Sequence, residues 1–205
     1  EVRCFLPENR LTIVERRAAR QFFPLLLPGN LASLTEYYAI RKGATGRVAG
    51  VDSQSVLIDP KDDNRYAHQF WIEPQSGFLL KASLLDERGA PLETFAFTEV
   101  RIGGTLSQEQ LRSPLEAKSG DWQVQVVRSS DVNTDDGRWL FRAALPGFRR
   151  TSGMKRQLSP NAPEGSQMIF SDGLASVSVF IEPLAHPAAS EPPEAMSMGA
   201  VNVYK

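Results

Sequence analysis

Ser152-Gly-Met-Lys155 places a hydroxyl three residues ahead of an amine. That is the spacing of nucleophile and lysine in penicillin-recognising enzymes. Such a site also needs a Ser-Asp-Asn and a Lys-Thr-Gly element. Ser171-Asp172-Gly173 departs from the first, and the second is absent from the sequence. Ser152 also follows a strand pattern instead of opening a long helix. There is no Gly-x-Ser-x-Gly elbow and no phosphate-binding glycine loop. His68 lies in a strand pattern and His186 in a Pro-rich stretch, so a Ser/His/Asp triad has few ways to form. Asp59, Asp62 and Asp63 bunch like calcium ligands. They lack the Gly and closing Glu of an EF-hand loop and read as a solvated turn. No His/Cys cluster has metal-ligand spacing. Cys4 is the only cysteine, so no disulfide can form within the chain, and it reads as a small strand residue. Non-enzymatic function with no metal, no cofactor and no catalytic residue is the expectation.

Two basic clusters remain. Arg16, Arg17 and Arg20 follow the second strand pattern, and Arg149, Arg150, Lys155 and Arg156 surround a turn near Phe148. Guanidinium groups pair bidentately with carboxylates and phosphates. Each cluster therefore reads either as a solvated face or as an anion site for an acidic peptide or lipid phosphate. The net charge is −1, and residues up to Gly104 carry 13 basic and 13 acidic side chains against 10 and 11 beyond it. Neither half is a basic nucleic-acid module, so no nucleic acid is expected as partner. No apolar run approaches the roughly 18 residues of a membrane span. The longest, Phe22 to Leu27, is broken by Pro24.

The elements that must position these side chains are mostly strands. Val2 to Leu6 and Leu11 to Arg16 read as a hairpin across Pro7-Glu-Asn-Arg10. Leu31 to Tyr38 reads as a short helix with Asn30 as N-cap. Val48 to Ile58, Tyr66 to Ile72, Phe78 to Leu85 and Leu92 to Arg101 then alternate with turn residues, which is an antiparallel meander. In Phe78 to Leu85 both faces are largely apolar, so the sheet is expected to be covered on both sides. Ser107 and Gln110 have capping-box spacing in a brief helical turn that Ser113-Pro114 ends. Trp122 to Val127 reads as one more strand. Trp139 to Leu145 and Phe148 to Lys155 read as strands around Pro146-Gly147. Gln167 to Phe170 and Leu174 to Ile181 read as a hairpin across Asp172-Gly173. His186 to Glu194 reads as a loop. The domain reading is 1–104, a linker over 105–137 holding the Trp122 strand, and a small domain over 138–205. Both ends read as strand, so flanking segments are expected before Glu1 and after Lys205.

Several stretches carry a family resemblance. They are Arg47-Val-Ala-Gly50, Pro60-Lys-Asp62, Arg65-Tyr66, Trp71-Ile72, Gly77-Phe-Leu-Leu-Lys81 and Gly89 in the first half. In the second half they are Leu145-Pro-Gly-Phe148, Ser171-Asp-Gly-Leu174 and Ser178-Val-Phe-Ile-Glu182. Together they resemble the RseB/MucB family of periplasmic regulators of the envelope-stress sigma factor, and MucB-like members most closely. The resemblance implies a mainly β fold with some α. Its parts are a large LolA/LolB-like half-open antiparallel β-barrel and a smaller mixed β/α C-terminal domain.

It also implies a partner, the periplasmic domain of a MucA/RseA-like anti-sigma factor, which the bound regulator shields from the first protease of the stress cascade. Lipid or lipopolysaccharide is the expected releasing signal, the output includes alginate genes, and a homodimer is left open. Aromatic and apolar density places the lipid-facing wall at Trp71, Phe78, Leu80, Phe95 and Phe97, with a sealed core as the alternative. Charge clustered at a turn beside an exposed aromatic places the partner-facing surface at Phe148, Arg149, Arg150, Lys155 and Arg156. The competing function is a periplasmic lipid or lipoprotein carrier, against which the second domain argues.

Overall fold

The computed structural model describes residues 2–15, 34–127, 139, 141–142, 145–156, 165–183 and 194–204, with backbone only at Glu15, Val127, Met154 and Arg156. The chain forms two compact units. One comprises the described residues of Glu1–Ala19 and Arg101–Val132, the other those of Arg20–Val100 and Asn133–Lys205.

In the first unit, β1 (Val2–Leu6) and β2 (Leu11–Glu15) form the expected hairpin, closed by a turn over Pro7–Asn9 with Arg10 at positive φ. The Trp122 strand forms as β8 (Gln123–Val127) and pairs parallel with β2, Leu11 opposite Gln123. Parallel pairing needs a long crossover, and that partner is invisible to local pattern. Ser107 and Gln110 exchange the two capping-box hydrogen bonds, Ser107 N to Gln110 Oε1 at 2.9 Å and Gln110 N to Ser107 Oγ at 3.3 Å. Ser113-Pro114 starts a helix where it was expected to end one. Ser113 Oγ accepts from the Leu115 amide, and Pro114 opens α2 (Pro114–Lys118). Proline at the first helical position loses no intrahelical bond.

The second unit holds α1 (Leu34–Tyr37) and an antiparallel meander. Its strands are β3 (Tyr38–Val48), β4 (Val51–Pro60), β5 (Ala67–Ile72), β6 (Leu79–Leu85) and β7 (Pro91–Ala96), in sheet order β3-β4-β5-β6-β7. Among the described residues both end strands are edges, so this sheet is open, as expected of a half-open fold. The helix expected over Leu31 to Tyr38 is seen at Leu34–Tyr37. Positions 31–33 lie outside the described residues, and β3 begins at Tyr38. The long β3 escapes a propensity reading because Gly43 and Gly46 interrupt it. Gly46 is there for space. A Cβ on it would sit 2.8 Å from Trp71 Cζ3.

The register sets Val56, Phe70, Ala82 and Phe95 in one row across β4 to β7, with Ile58 on the same face. That face carries the core of Leu34, Tyr38, Ile58, Phe70, Leu79 and Ala82, joined by Tyr37, Val56, Ile72 and Leu174. A bulge between Trp71 and Ile72 brings Leu79 opposite Ile72 and so into that core.

The same unit contains a second antiparallel sheet of β9 (Arg149–Arg156), β10 (Gly165–Ser171) and β11 (Ser176–Ile181), in order β11-β10-β9. Asp172 folds the β10–β11 turn, its Oδ1 accepting from the Leu174 and Ala175 amides at 2.9 and 2.8 Å. A short hairpin, β12 (Ala195–Met198) and β13 (Val201–Tyr204), follows. The strand expected over Trp139 to Leu145 is not seen at its described positions, Trp139, Phe141, Arg142 and Leu145. The expected loop over His186 to Glu194 lies outside the described residues except Glu194.

Phe70 is 2% exposed and Phe95, in the same row, 51%. Phe70→Ala is expected to cost about 3–5 kcal/mol by urea unfolding, and Phe95→Ala less than half of that. Equal costs would mean that Phe95 is buried in solution.

Candidate functional site

The turn Lys61-Asp-Asp-Asn-Arg65 precedes β5, with Asp62 Oδ1 accepting from the Asn64 amide at 3.0 Å. It delivers Arg65 into the interior, where the side chain is 1% exposed. Arg65 Nε donates to Asp172 Oδ2 at 2.8 Å, Nη1 to Asp62 Oδ2, and Nη2 to the carbonyl oxygen of Pro146. The Asp172 side chain is also 1% exposed. Tyr38, at the start of β3, donates its hydroxyl to the same Asp172 Oδ2 at 2.8 Å. The guanidinium lies 4.9 Å from the ring centre of Tyr37, 5.0 Å from Phe148 and 5.7 Å from Tyr38. Cation–π attraction of this kind strengthens as water is excluded. Burial first, then the hydrogen bond to Asp172 and that carboxylate's charge, hold the Tyr38 phenol above its ordinary pKa, so it stays a donor.

The turn that meets Arg65 is Leu145-Pro146-Gly147-Phe148, closed by Phe148 N to Leu145 O at 3.1 Å. Gly147 has φ +80, and a Cβ there would lie 2.5–2.9 Å from the Tyr37 ring. Backbone conformation and close approach both demand glycine. Four of the segments that carry the family resemblance, Pro60-Lys-Asp62, Arg65-Tyr66, Leu145-Pro-Gly-Phe148 and Ser171-Asp-Gly-Leu174, thus converge on one node.

Sequence reasoning did not single out Arg65, Tyr37 or Tyr38 as site residues. An arginine behind two aspartates reads as solvated, and its main partner is 107 positions away. Phe148, expected as an exposed aromatic, is half-buried against Arg65. Arg149 is exposed beside it. Lys155 is exposed, Arg150 is half-buried and lies over Gly153, and of Arg156 only the backbone is described. The register divides the cluster. Arg150 and Lys155 stand opposite Phe170 and Ser166 on one face of β10, Arg149 and Arg156 opposite Ser171 and Gly165 on the other. Arg16, Arg17 and Arg20 lie outside the described residues.

Among the expected lipid-facing residues, Phe78 and Phe97 come together with ring centres 5.5 Å apart, and Phe97 N donates to Leu80 O at 3.0 Å. Leu80 is fully buried. Phe95 lies opposite Ala82. Trp71 lies opposite Ser55 and Lys81 on the other face of the sheet, against Gly46. The five therefore do not share one wall.

The node and the open sheet define a class: antiparallel β proteins in which a small three-stranded sheet is docked on a larger open one through buried charge. The chain belongs to the MucB/RseB family. Residues 1–115 match the MucB/RseB N-terminal domain and residues 133–205 the MucB/RseB C-terminal domain. Sigma factor AlgU regulatory protein MucB of Pseudomonas aeruginosa is 32% identical over 176 residues, 84% of this chain and 52% of that protein. Sigma-E factor regulatory protein RseB of Haemophilus influenzae is 26% identical over 187 residues, 88% of this chain and 55% of that one. The chain therefore spans about half the length of these curated relatives. Two solved structures of MucB bound to MucA resemble it. One, with MucA(peri), has a TM-score of 0.65 at 31% identity, covering 86% of this chain and 58% of the other. The second, from Pseudomonas aeruginosa, has 0.66 at 30%, covering 91% and 61%.

His68 in β5 lies between Ile58 and Leu84, its ring 5.7 Å from Phe70. Burial lowers its pKa from 6.5 to about 4, against the opposing pull of Asp172. Between those values the unfolded chain binds more protons than the folded one, so stability falls as pH drops from about 6.5 to about 4. The loss is expected to reach about 1–3 kcal/mol. Urea midpoints at pH 7 and 4.5 should differ less in His68→Gln than in the unsubstituted chain. Identical differences would mean that His68 titrates normally.

Proposed function

We propose that this chain is the partner-binding portion of a periplasmic regulator. It binds the periplasmic domain of a membrane-spanning anti-sigma factor and so keeps an envelope-stress sigma factor inactive. The observation that carries this reading is its likeness, at 30–31% identity over 86–91% of the chain, to MucB in complex with MucA. The surface supports it. Arg149 and Lys155, on opposite faces of the small sheet, are exposed, and neither pairs with a carboxylate among the described residues. Exposed cations of this kind steer an acidic segment and set register more than they add raw affinity.

Occupancy by the partner shields the anti-sigma factor from regulated proteolysis. Lipid or lipopolysaccharide acts as the release signal by linkage: a ligand that favours the partner-free state must weaken partner binding by its differential affinity. We assign this response to Phe78, Phe97 and Leu80, on the ring contact of the first two and the backbone hydrogen bond from Phe97 to Leu80.

Calorimetric titration with the periplasmic domain of MucA tests the reading. We expect saturable binding that lipopolysaccharide weakens. Arg149→Ala with Lys155→Ala should reduce affinity about fivefold at low salt, as suits rim charges of about 0.5 kcal/mol each, and flatten its salt dependence. No binding to the unsubstituted chain would sink the proposal. Lipid retained without affinity for MucA would favour a lipid carrier instead. If lipid does act, longer acyl chains should displace MucA more strongly, by up to about 0.8 kcal/mol per methylene. A flat dependence on chain length would remove Phe78, Leu80 and Phe97 from that role.

A further inference from the structure

Arg65 belongs to the N-terminal family domain, whereas Asp172, Pro146 and Phe148 belong to the C-terminal one. Three nitrogens of one guanidinium serve three different segments: Asp62 in its own turn, the Pro146 carbonyl, and Asp172 in the β10–β11 turn. Two rings on the same cation come from the two domains, Tyr37 from one and Phe148 from the other. A planar fork spreads five N–H donors over three nitrogens, whereas an ammonium carries its three on one. Gly147 lies on the Tyr37 ring, so the turn is held by shape as well as by charge. The next residue along the chain after this turn is Arg149, the exposed end of β9.

We infer that Arg65 is a positioning residue for partner binding. It locks the Leu145–Phe148 turn and the Asp172 turn onto the five-stranded sheet and thereby fixes where Arg149 is presented, without touching the partner. With its side chain 1% exposed, Arg65 is beyond the reach of a docked peptide. Its effect on affinity must therefore travel through the turn. The lock stands on the geometry above, and only the step to affinity rests on the partner reading of the preceding subsection.

Amide hydrogen exchange and titration with the periplasmic domain of MucA, both on the chain as described, test the inference. Arg65→Lys keeps the charge but loses the fork. We expect the Phe148, Leu174 and Ala175 amides to exchange at least tenfold faster, with ladder amides of β4 and β5 within threefold of their original rates. MucA affinity should fall about twofold, the share that one rim charge carries, and its salt dependence should flatten in part. Tyr38→Phe, which deletes one donor to Asp172 and keeps the ring, should produce a smaller version of the same selective pattern and serves if Arg65→Lys does not fold. Exchange that rises equally in both sheets, or in neither, overturns the lock. Selective exchange with unchanged MucA affinity overturns the positioning role. If the unsubstituted chain does not bind MucA, the partner reading and this last step fall together, while the exchange pattern still decides the lock.

Discussion

A guanidinium removed from water must have its donors and its charge answered on the spot, because the desolvation cost of an unmatched buried ion is several kcal/mol. Arg65 meets that constraint with two carboxylates, one carbonyl and three aromatic rings. None of these partners is adjacent in sequence except the Asp62 turn. The rest of the second unit is arranged around satisfying it. α1 hands over to β3 where Tyr37 and Tyr38 can flank the cation, β10 ends where Asp172 can reach it, and the chain entering β9 turns on Gly147 so that Pro146 can offer its oxygen. Asp172 is committed twice over, Oδ2 to Arg65 and Tyr38, Oδ1 to the two amides that shape its own turn. Displacing it would undo a local turn and a long-range pair in one event.

The parts of the fold legible in the sequence are those where local chemistry and the global structure agree. β4 to β7 show strand patterning cut by Pro, Gly and Asp turns, and the β10–β11 hairpin is announced by Asp172-Gly173. β3 was hidden because its glycines are explained by Ser55 on β4 and Trp71 on β5, which a window along the chain cannot see. The parallel partner of β2 was hidden for the same reason. The Ser113-Pro114 dipeptide was ambiguous, since proline both follows helices and opens them.

For the expected basic surface, the register shows what a reading along the chain could not. Contiguity of Arg149, Arg150, Lys155 and Arg156 suggested a single basic patch, yet strand alternation interrupted by a bulge beside Phe170 sends Arg149 to one face and Arg150 and Lys155 to the other. Phe148 read as an exposed aromatic because it follows a turn. Its actual place, against a cation from the other domain, depends on a contact no spacing rule encodes. The family resemblance, by contrast, picked out segments that meet at the node. Residues that satisfy a buried ion are constrained together in type and geometry, whereas a patch that only has to be positive can be assembled in many ways.

Buried ion pairs are weak evidence for net stability, since apolar replacements of similar shape often serve as well. What the pair contributes is an asymmetry. Complete, it is close to neutral; with one member displaced, the other is left charged in a dry setting. Partial separation of the small sheet from the larger one is therefore penalised more steeply than hydrophobic contact alone would dictate, because apolar burial weakens gradually with area while a guanidinium loses its carboxylate, its carbonyl and its ring faces nearly together. The docked arrangement is then closer to a discrete state than to one end of a continuum of angles. A discrete state suits release by linkage between separate sites: two ligands can oppose one another through a conformation that each weighs differently. The same geometry that hides Arg65 from any partner would let it transmit what happens on one domain to the other.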